Sequence, residues 1–121
     1  MKFIIDLIED IREQIGNHEA YVMTAGLLKE NPEDPGKLIY AGEAALNVFH
    51  LDEERKQLIF EIDGSETRIT VGELIPPLLI CDMDSMMYEL RMNVNAKYND
   101  MEIVGFGKND EAQKYILFIK I

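Results

Sequence analysis

The stretch MMYELRMNVNAKY, residues 86–98, alternates apolar and polar side chains over its whole length. Its even-numbered positions, from Met86 to Tyr98, are all apolar, whereas the odd-numbered positions after Met87 are polar. This period of two predicts a long β-strand with one face on the core and the other in water. Asn99-Asp100 follows directly and predicts a tight turn.

Two further strands are predicted after that turn, over residues 101–107 and 114–121, with another turn over 108–111. With the strand at 86–98 they form a C-terminal three-stranded meander. The last strand is apolar on both faces, since Ile116 and Phe118 alternate with equally apolar neighbours. This pattern is typical of a strand inside a covered sheet or at a subunit contact.

Upstream of the meander, apolar runs separated by turn residues predict two hairpins. The first turn, residues 31–36, contains two prolines and a glycine, and Leu58, Phe60 and Ile62 are predicted to face the core. The four predicted strands cover residues 21–29, 37–43, 46–51 and 58–62. A helix over 17–29 and another over 43–57 are the alternatives.

The N-terminal residues 2–15 predict an amphipathic helix, because their aliphatic side chains share one half of a helical wheel. Thr70 and Glu73 have the spacing of a capping box and predict a second, short helix, which Pro76-Pro77 should kink or end within about one turn. The predicted fold is α+β over residues 1–121 as a single domain. It contains a mostly antiparallel sheet of about five to seven strands, with the N-terminal helix packed on one face.

An acidic stripe lies opposite the apolar side of the first helix and consists of Asp6, Glu9, Asp10 and Glu13. These acids form like-charge pairs at spacings of three and four, each of which destabilises a helix by about 0.2–0.5 kcal/mol. Burial of each aliphatic side chain stabilises the fold by about 1.5–3 kcal/mol, so docking of the apolar face outweighs the repulsion. The stripe has no obvious role in the fold. It predicts either a solvated face or a docking surface for a basic partner.

The net charge of −11 is concentrated in the first 66 residues, where 15 acidic and 6 basic residues give −9. This balance argues against direct binding to nucleic acid or to an anionic membrane surface, both of which require clustered Lys and Arg. Cys81 is the only cysteine, and Asp6 interrupts the apolar N-terminus before it could form a signal peptide. A reduced, cytoplasmic setting is therefore predicted.

No spacing of residues indicates catalysis, a metal site or a cofactor. His18 and His50 stand alone, and Asp82 and Asp84 lack the remainder of an EF-hand pattern, so a cation at this turn is only an alternative. Five of the seven methionines fall within residues 83–101. Met87 lies on the otherwise polar strand face, where an adaptable methionine indicates a contact patch.

These features predict a small, acidic, non-enzymatic protein-binding module: an adaptor, a chaperone or an inhibitor of the immunity type. It would engage a basic protein, in one special case by imitating nucleic acid. The predicted partner-binding residues are Asp6, Glu9, Asp10, Glu13 and Met87.

Two alternatives come from other classes of function. One is a small-ligand or catalytic domain with a pocket between the first helix and the sheet. Its predicted lining residues are His50, Tyr88, Tyr98 and Tyr115. The other alternative is a homo-oligomer formed through the last strand.

Overall fold

A computed structural model of the chain describes residues 1–16, 19–80, 82–95 and 97–121. Within these ranges the chain forms two α-helices, seven strands and one 3-10 helix. The elements in chain order are α1 (Ile4–Gln14), β1 (Val22–Glu30), β2 (Leu38–Ala45), β3 (Val48–Asp52), β4 (Gln57–Ile62), α2 (Val71–Leu79), the 3-10 helix (Met83–Met87), β5 (Glu89–Val94), β6 (Tyr98–Asn109) and β7 (Lys114–Lys120).

All seven strands join one sheet in the order β2-β1-β7-β6-β5-β4-β3. The predicted meander β5-β6-β7 and both predicted hairpins are confirmed. The sheet is nevertheless mixed, and the prediction of a mostly antiparallel sheet was wrong. Each hairpin joins the meander by a parallel pairing, β1 with β7 and β4 with β5. The second pairing requires a crossover, which α2 and the 3-10 helix supply.

A short corner joins the two ends of the sheet. β2 and β3 lie at opposite ends of the strand order, yet only Leu46 and Asn47 separate them in sequence. Three Cα–Cα steps span at most about 11 Å, so the sheet must curl until its two edges converge here. Leu46 is fully buried. The Asn47 amide donates to the carbonyls of Ser65 and Thr67 at 3.2 and 2.6 Å, which fixes the neighbouring loop.

Both helices pack on the same face of the sheet. Alternate strand residues, including Phe60, Met92 and Tyr115, form one buried cluster with Leu7 of α1 and Leu74 of α2. The predicted inward-facing positions of β4 belong to this cluster, as does the apolar side of α1. The packing of the N-terminal helix on one face is therefore confirmed.

The strand predicted over residues 86–98 is shorter in the structure than the alternating sequence pattern indicates. Its first residues belong to the 3-10 helix, and β5 covers only Glu89–Val94. Asn95 has a positive φ of 48°, and Lys97 N donates to Val94 O at 2.8 Å, so the chain reverses direction between the end of β5 and the start of β6. The turn predicted at Asn99-Asp100 was wrong, because both residues belong to β6. Position 96 lies outside the described residues.

Pro76-Pro77 do not end α2, which was one of the two effects predicted for them. α2 begins as predicted, with Glu73 N donating to Thr70 Oγ1 at 3.3 Å, but continues through both prolines to Leu79. Burial of Leu78 against the core holds the last turn in place despite the missing N–H groups. The helical alternative for 43–57 is excluded by β3 and β4, and the alternative for 17–29 is excluded for its described part by β1.

The last strand lies inside the sheet, but the helices cover only one face of that sheet, so the predicted setting inside a sheet covered on both sides is met only in the position of the strand. β7 pairs with β1 on one side and β6 on the other, so strand pairing between subunits would have to use a different strand. On the face away from the helices, Phe118 lies against Gly26 and Gly107, where an added Cβ would come within 2.7 Å of its ring. These glycines make room for the ring, and the pairing of β6 with β7 is irregular between Ile103 and Gly105.

Candidate functional site

The segment from Leu79 to Tyr88 runs beside α1 in the opposite direction. Near the C-terminal end of the helix, Leu79 borders a cavity of about 200 Å³ that Ile8 and Arg12 also line. At the N-terminal end of the helix, Ile4 N donates to Tyr88 O at 3.0 Å. The two contacts bring the end of α2 and the 3-10 helix alongside one flank of α1.

Four large apolar side chains on this segment are exposed, and we call them the apolar row. Their exposed fractions are 61% for Leu79, 87% for Ile80, 86% for Met83 and 60% for Met87. Single exposed apolar residues are ordinary, so the feature to explain is that four of them fall within residues 79–87. Methionine suits a contact surface because its unbranched side chain adapts to different shapes.

The 3-10 helix owes its shape to Asp82 and Ser85. Asp82 Oδ1 accepts hydrogen bonds from the backbone N and the Oγ of Ser85, both at 3.0 Å. Ser85 is buried, and this anchor leaves Met83 and Met87 exposed on the outside of the turn. The hydrogen bonds from Ser85 to Asp82 thus fix the part of the apolar row on the 3-10 helix, Met83 and Met87.

Two acids of the stripe, Glu9 and Glu13, are exposed on α1, and we call them the acidic crest. Within the described part of the chain neither carboxylate forms an ion pair, and neither does Arg12. Arg12 lies on the flank of the helix next to Leu79, where both line the same cavity. Asp82 and Asp84 add two exposed carboxylates on the neighbouring segment. An apolar row and a set of carboxylates therefore occupy one side of the molecule.

The other two acids of the stripe are tied to the fold. Asp6 accepts a hydrogen bond from Phe3 N at 2.8 Å and so caps the start of α1. Asp10 accepts one from the hydroxyl of Tyr115 at 2.6 Å. Burial, and then the Asp10 carboxylate, raise the pKa of Tyr115 well above its ordinary value, so this phenol stays protonated. The expectation that the stripe has no role in the fold was wrong for these two residues.

The turn at Asp82 and Asp84 borders a cavity of about 410 Å³, which Lys56, Met87 and Tyr88 also line. The Asp82 carboxylate is occupied as the cap of the 3-10 helix, and the Lys56 side chain brings a positive charge to the cavity. Among the described residues, no group of three or more metal-binding side chains could hold a metal ion. Nothing in this geometry favours a cation.

The four residues predicted to line a pocket do not converge. Tyr115 is fully buried in the core on the helix-covered face of the sheet, whereas His50 is exposed on the opposite face of edge strand β3. Tyr88 is buried and donates to Glu53 at 2.8 Å, and Tyr98 packs against the core. Packed side chains fill the space between α1 and the sheet, so the geometry gives no support to a pocket there.

Sequence reasoning selected Met87 but missed Leu79, Ile80 and Met83 as parts of the same surface. The reason is that the sequence predicts a kink or an end of α2 at the prolines, so it does not show that Leu79 lies beside α1. The density of methionines over residues 83–101 was the one sequence signal that pointed to this region.

Comparisons of the chain with protein-family models, curated proteins and solved structures found no match. Among the described residues, no helix is long and apolar enough to cross a membrane.

Proposed function

We propose that this protein is a non-enzymatic protein-binding module whose partner presents a basic amphipathic segment. The observation that carries the proposal is the apolar row, four exposed side chains along one stretch of chain beside an exposed acidic helix face. Met87, Glu9 and Glu13 are the predicted partner-binding residues that fit this surface. Asp6 and Asp10, the other two predicted acids, form hydrogen bonds within the fold.

The two parts of the surface would have different roles. Burial of exposed apolar side chains supplies about 25 cal/mol for each Å² removed from water, so the apolar row would provide most of the affinity. The acidic crest, with Asp82 and Asp84, would attract and orient a positively charged partner, an effect that salt screens. A helix with apolar residues on one face and Lys or Arg on the other matches both requirements.

Two double variants and a matched control test the proposal. Met83→Ser with Met87→Ser removes apolar anchors, and Glu9→Gln with Glu13→Gln removes crest charges. Glu33→Gln with Glu66→Gln makes the same charge change at exposed positions elsewhere. Quantitative affinity capture from native lysate, followed by titration of the purified partner at two salt concentrations, compares all four proteins.

The methionine variant should bind at least about tenfold more weakly at both salt concentrations, which corresponds to a loss of about 1.4 kcal/mol. The crest variant should bind more weakly at low salt and show a flatter salt dependence, while the control behaves as wild type. A partner that binds all four proteins equally, or loses affinity only with the control, would refute this assignment.

A further inference from the structure

The two edges of the sheet differ in how well they are protected against pairing with another strand. Edge strand β3 has five residues and includes His50 and Asp52. Edge strand β2 has eight residues, and the exposed fractions of Leu38 and Tyr40 are 45% and 51%. Residues 38–45 contain no lysine, arginine or proline, the residues that most often protect an edge.

Backbone groups of β2 point away from the rest of the sheet. Asn31 N donates to Lys37 O across the β1–β2 pair at 2.8 Å, and Leu38 and Tyr40 lie opposite Glu30 and Leu28. Hydrogen-bonded and non-hydrogen-bonded pairs alternate in an antiparallel ladder. The N–H and C=O groups of Leu38 and Tyr40 are therefore directed outward. The ladder is irregular between Leu27 and Leu28, so this regular outer edge ends after Tyr40.

The same stretch is electrically neutral in a strongly acidic chain. The only charged residue of β2 is Glu43, whose carboxylate lies 3.3 Å from Lys114 Nζ and accepts a 2.7 Å hydrogen bond from the Tyr40 hydroxyl. Desolvation and then Glu43 raise the pKa of Tyr40 to about 12, which keeps the hydroxyl protonated as the donor. A basic partner gains little here, whereas residues 38–40 themselves place no charged side chain against a second acidic copy.

We propose that two copies of this protein associate by antiparallel pairing of their β2 edges over residues 38–40. In the register proposed, the outward-directed backbone groups of both Leu38 and Tyr40 form hydrogen bonds. Leu38 then lies opposite Tyr40 of the second copy, and Ile39 lies opposite Ile39 of the second copy. Each of the two hydrogen-bonded pairs then exchanges two bonds, about four in total. The symmetry is twofold, which closes the assembly at a dimer. This interface is separate from the apolar row and does not depend on the proposed function.

Sedimentation velocity over a concentration series tests the dimer. Because both copies carry −11, their long-range repulsion should be screened by salt, and dimerisation should strengthen as salt increases. Leu38→Lys with Tyr40→Lys should raise the dimer dissociation constant at least about tenfold by placing like charges opposite each other. Val48→Lys, on exposed β3, is the matched control and should leave it unchanged. A wild-type protein that stays monomeric up to about millimolar concentration at high salt, or a dimer insensitive to the double variant, would overturn the proposal.

A crosslink tests the register without a charged substitution. In a Cys81→Ser background, Ile39→Cys should form an intermolecular disulfide under mild oxidation, because non-hydrogen-bonded partners lie about 4.5 Å apart at Cα, within disulfide range. Val48→Cys in the same background should not crosslink. Equal crosslinking of the two variants, or none at Ile39→Cys, would contradict this pairing.

The opposite effects of salt separate the two proposed interfaces. Binding of a basic partner should weaken with salt while the dimer strengthens, so either proposal can fail while the other holds.

Discussion

Asp10 lies on the flank of α1 that faces β7 and accepts a hydrogen bond from the buried Tyr115 hydroxyl. Glu9 and Glu13 lie on the exposed surface of the same helix and form no ion pair within the described chain. All three belong to the same stripe in the sequence. The difference teaches that a run of like charges is not one feature. The fold uses the carboxylates that reach a buried donor or an open N–H group and leaves the rest at the surface. We infer function only from those that remain.

The largest difference in stability should be between a substitution on the buried side of α1 and a substitution in the apolar row. Leu7→Ala removes a fully buried side chain and should lower the free energy of unfolding by about 2–5 kcal/mol. Met83→Ala, at an exposed position, should change it by less than about 0.5 kcal/mol. Chemical denaturation of both variants measures the difference. A large loss with Met83→Ala would show that this residue supports the fold and is not available to a partner.

A second contrast separates two acids of the stripe. Asp10→Ala leaves the buried Tyr115 hydroxyl without its acceptor and should cost about 1–3 kcal/mol of stability. Glu13→Ala, at an exposed site, should stay within about 0.5 kcal/mol. Equal losses in denaturation experiments would remove the distinction on which the functional argument depends.

The Tyr115–Asp10 contact should also appear in alkaline unfolding. The pKa of Tyr115 in the folded protein is raised above the unfolded value of about 10. The stability that the protonated phenol contributes is therefore fully present below pH 10 and is lost as the pH rises further. At pH 11 this one group should lower the free energy of unfolding by about 1.4 kcal/mol. Chemical denaturation of wild type and Tyr115→Phe between pH 9 and 11 tests this. The free energy of unfolding should fall less steeply with pH in the variant. Identical slopes would mean that the phenol ionises in the folded protein.

The smallest effect should be a gain in stability. Glu9→Gln with Glu13→Gln removes the i,i+4 pair between them and two i,i+3 pairs, with Asp6 and with Asp10, and should stabilise the protein by about 0.2–0.5 kcal/mol for each pair at low salt. Thermal unfolding at low and high salt should show the gain shrinking as salt screens these pairs. Destabilisation by this change would mean that the acidic crest has a structural role after all.

Periodicity predicted most of the architecture because the apolar pattern of a strand or helix is local. The pattern placed β1, β3, β4, β7 and α1 within a few residues of their observed bounds. Strand order is not a local property. The parallel pairings of β1 and β4 depend on how each hairpin packs against the meander, and the spacing of apolar residues does not predict this.

The candidate site was only partly predictable for the same reason. The acids of α1 could be grouped by helical geometry, but whether Asp10 meets Tyr115 depends on residues 105 positions apart. The exposure of Leu79 and Met83 depends on α2 continuing through two prolines, against the local preference. Tertiary packing decided both cases.

The most direct test of the proposed surface is amide chemical-shift mapping with a designed probe. The probe is a helical peptide of about five turns, about 18 residues, with leucine on one face and lysine on the other, and the control is the same composition scrambled. The amphipathic peptide should perturb residues 5–13 and 79–88, and the scrambled peptide should produce much weaker changes there. Equal perturbation by both peptides, or changes centred on β2 or β3, would contradict the account.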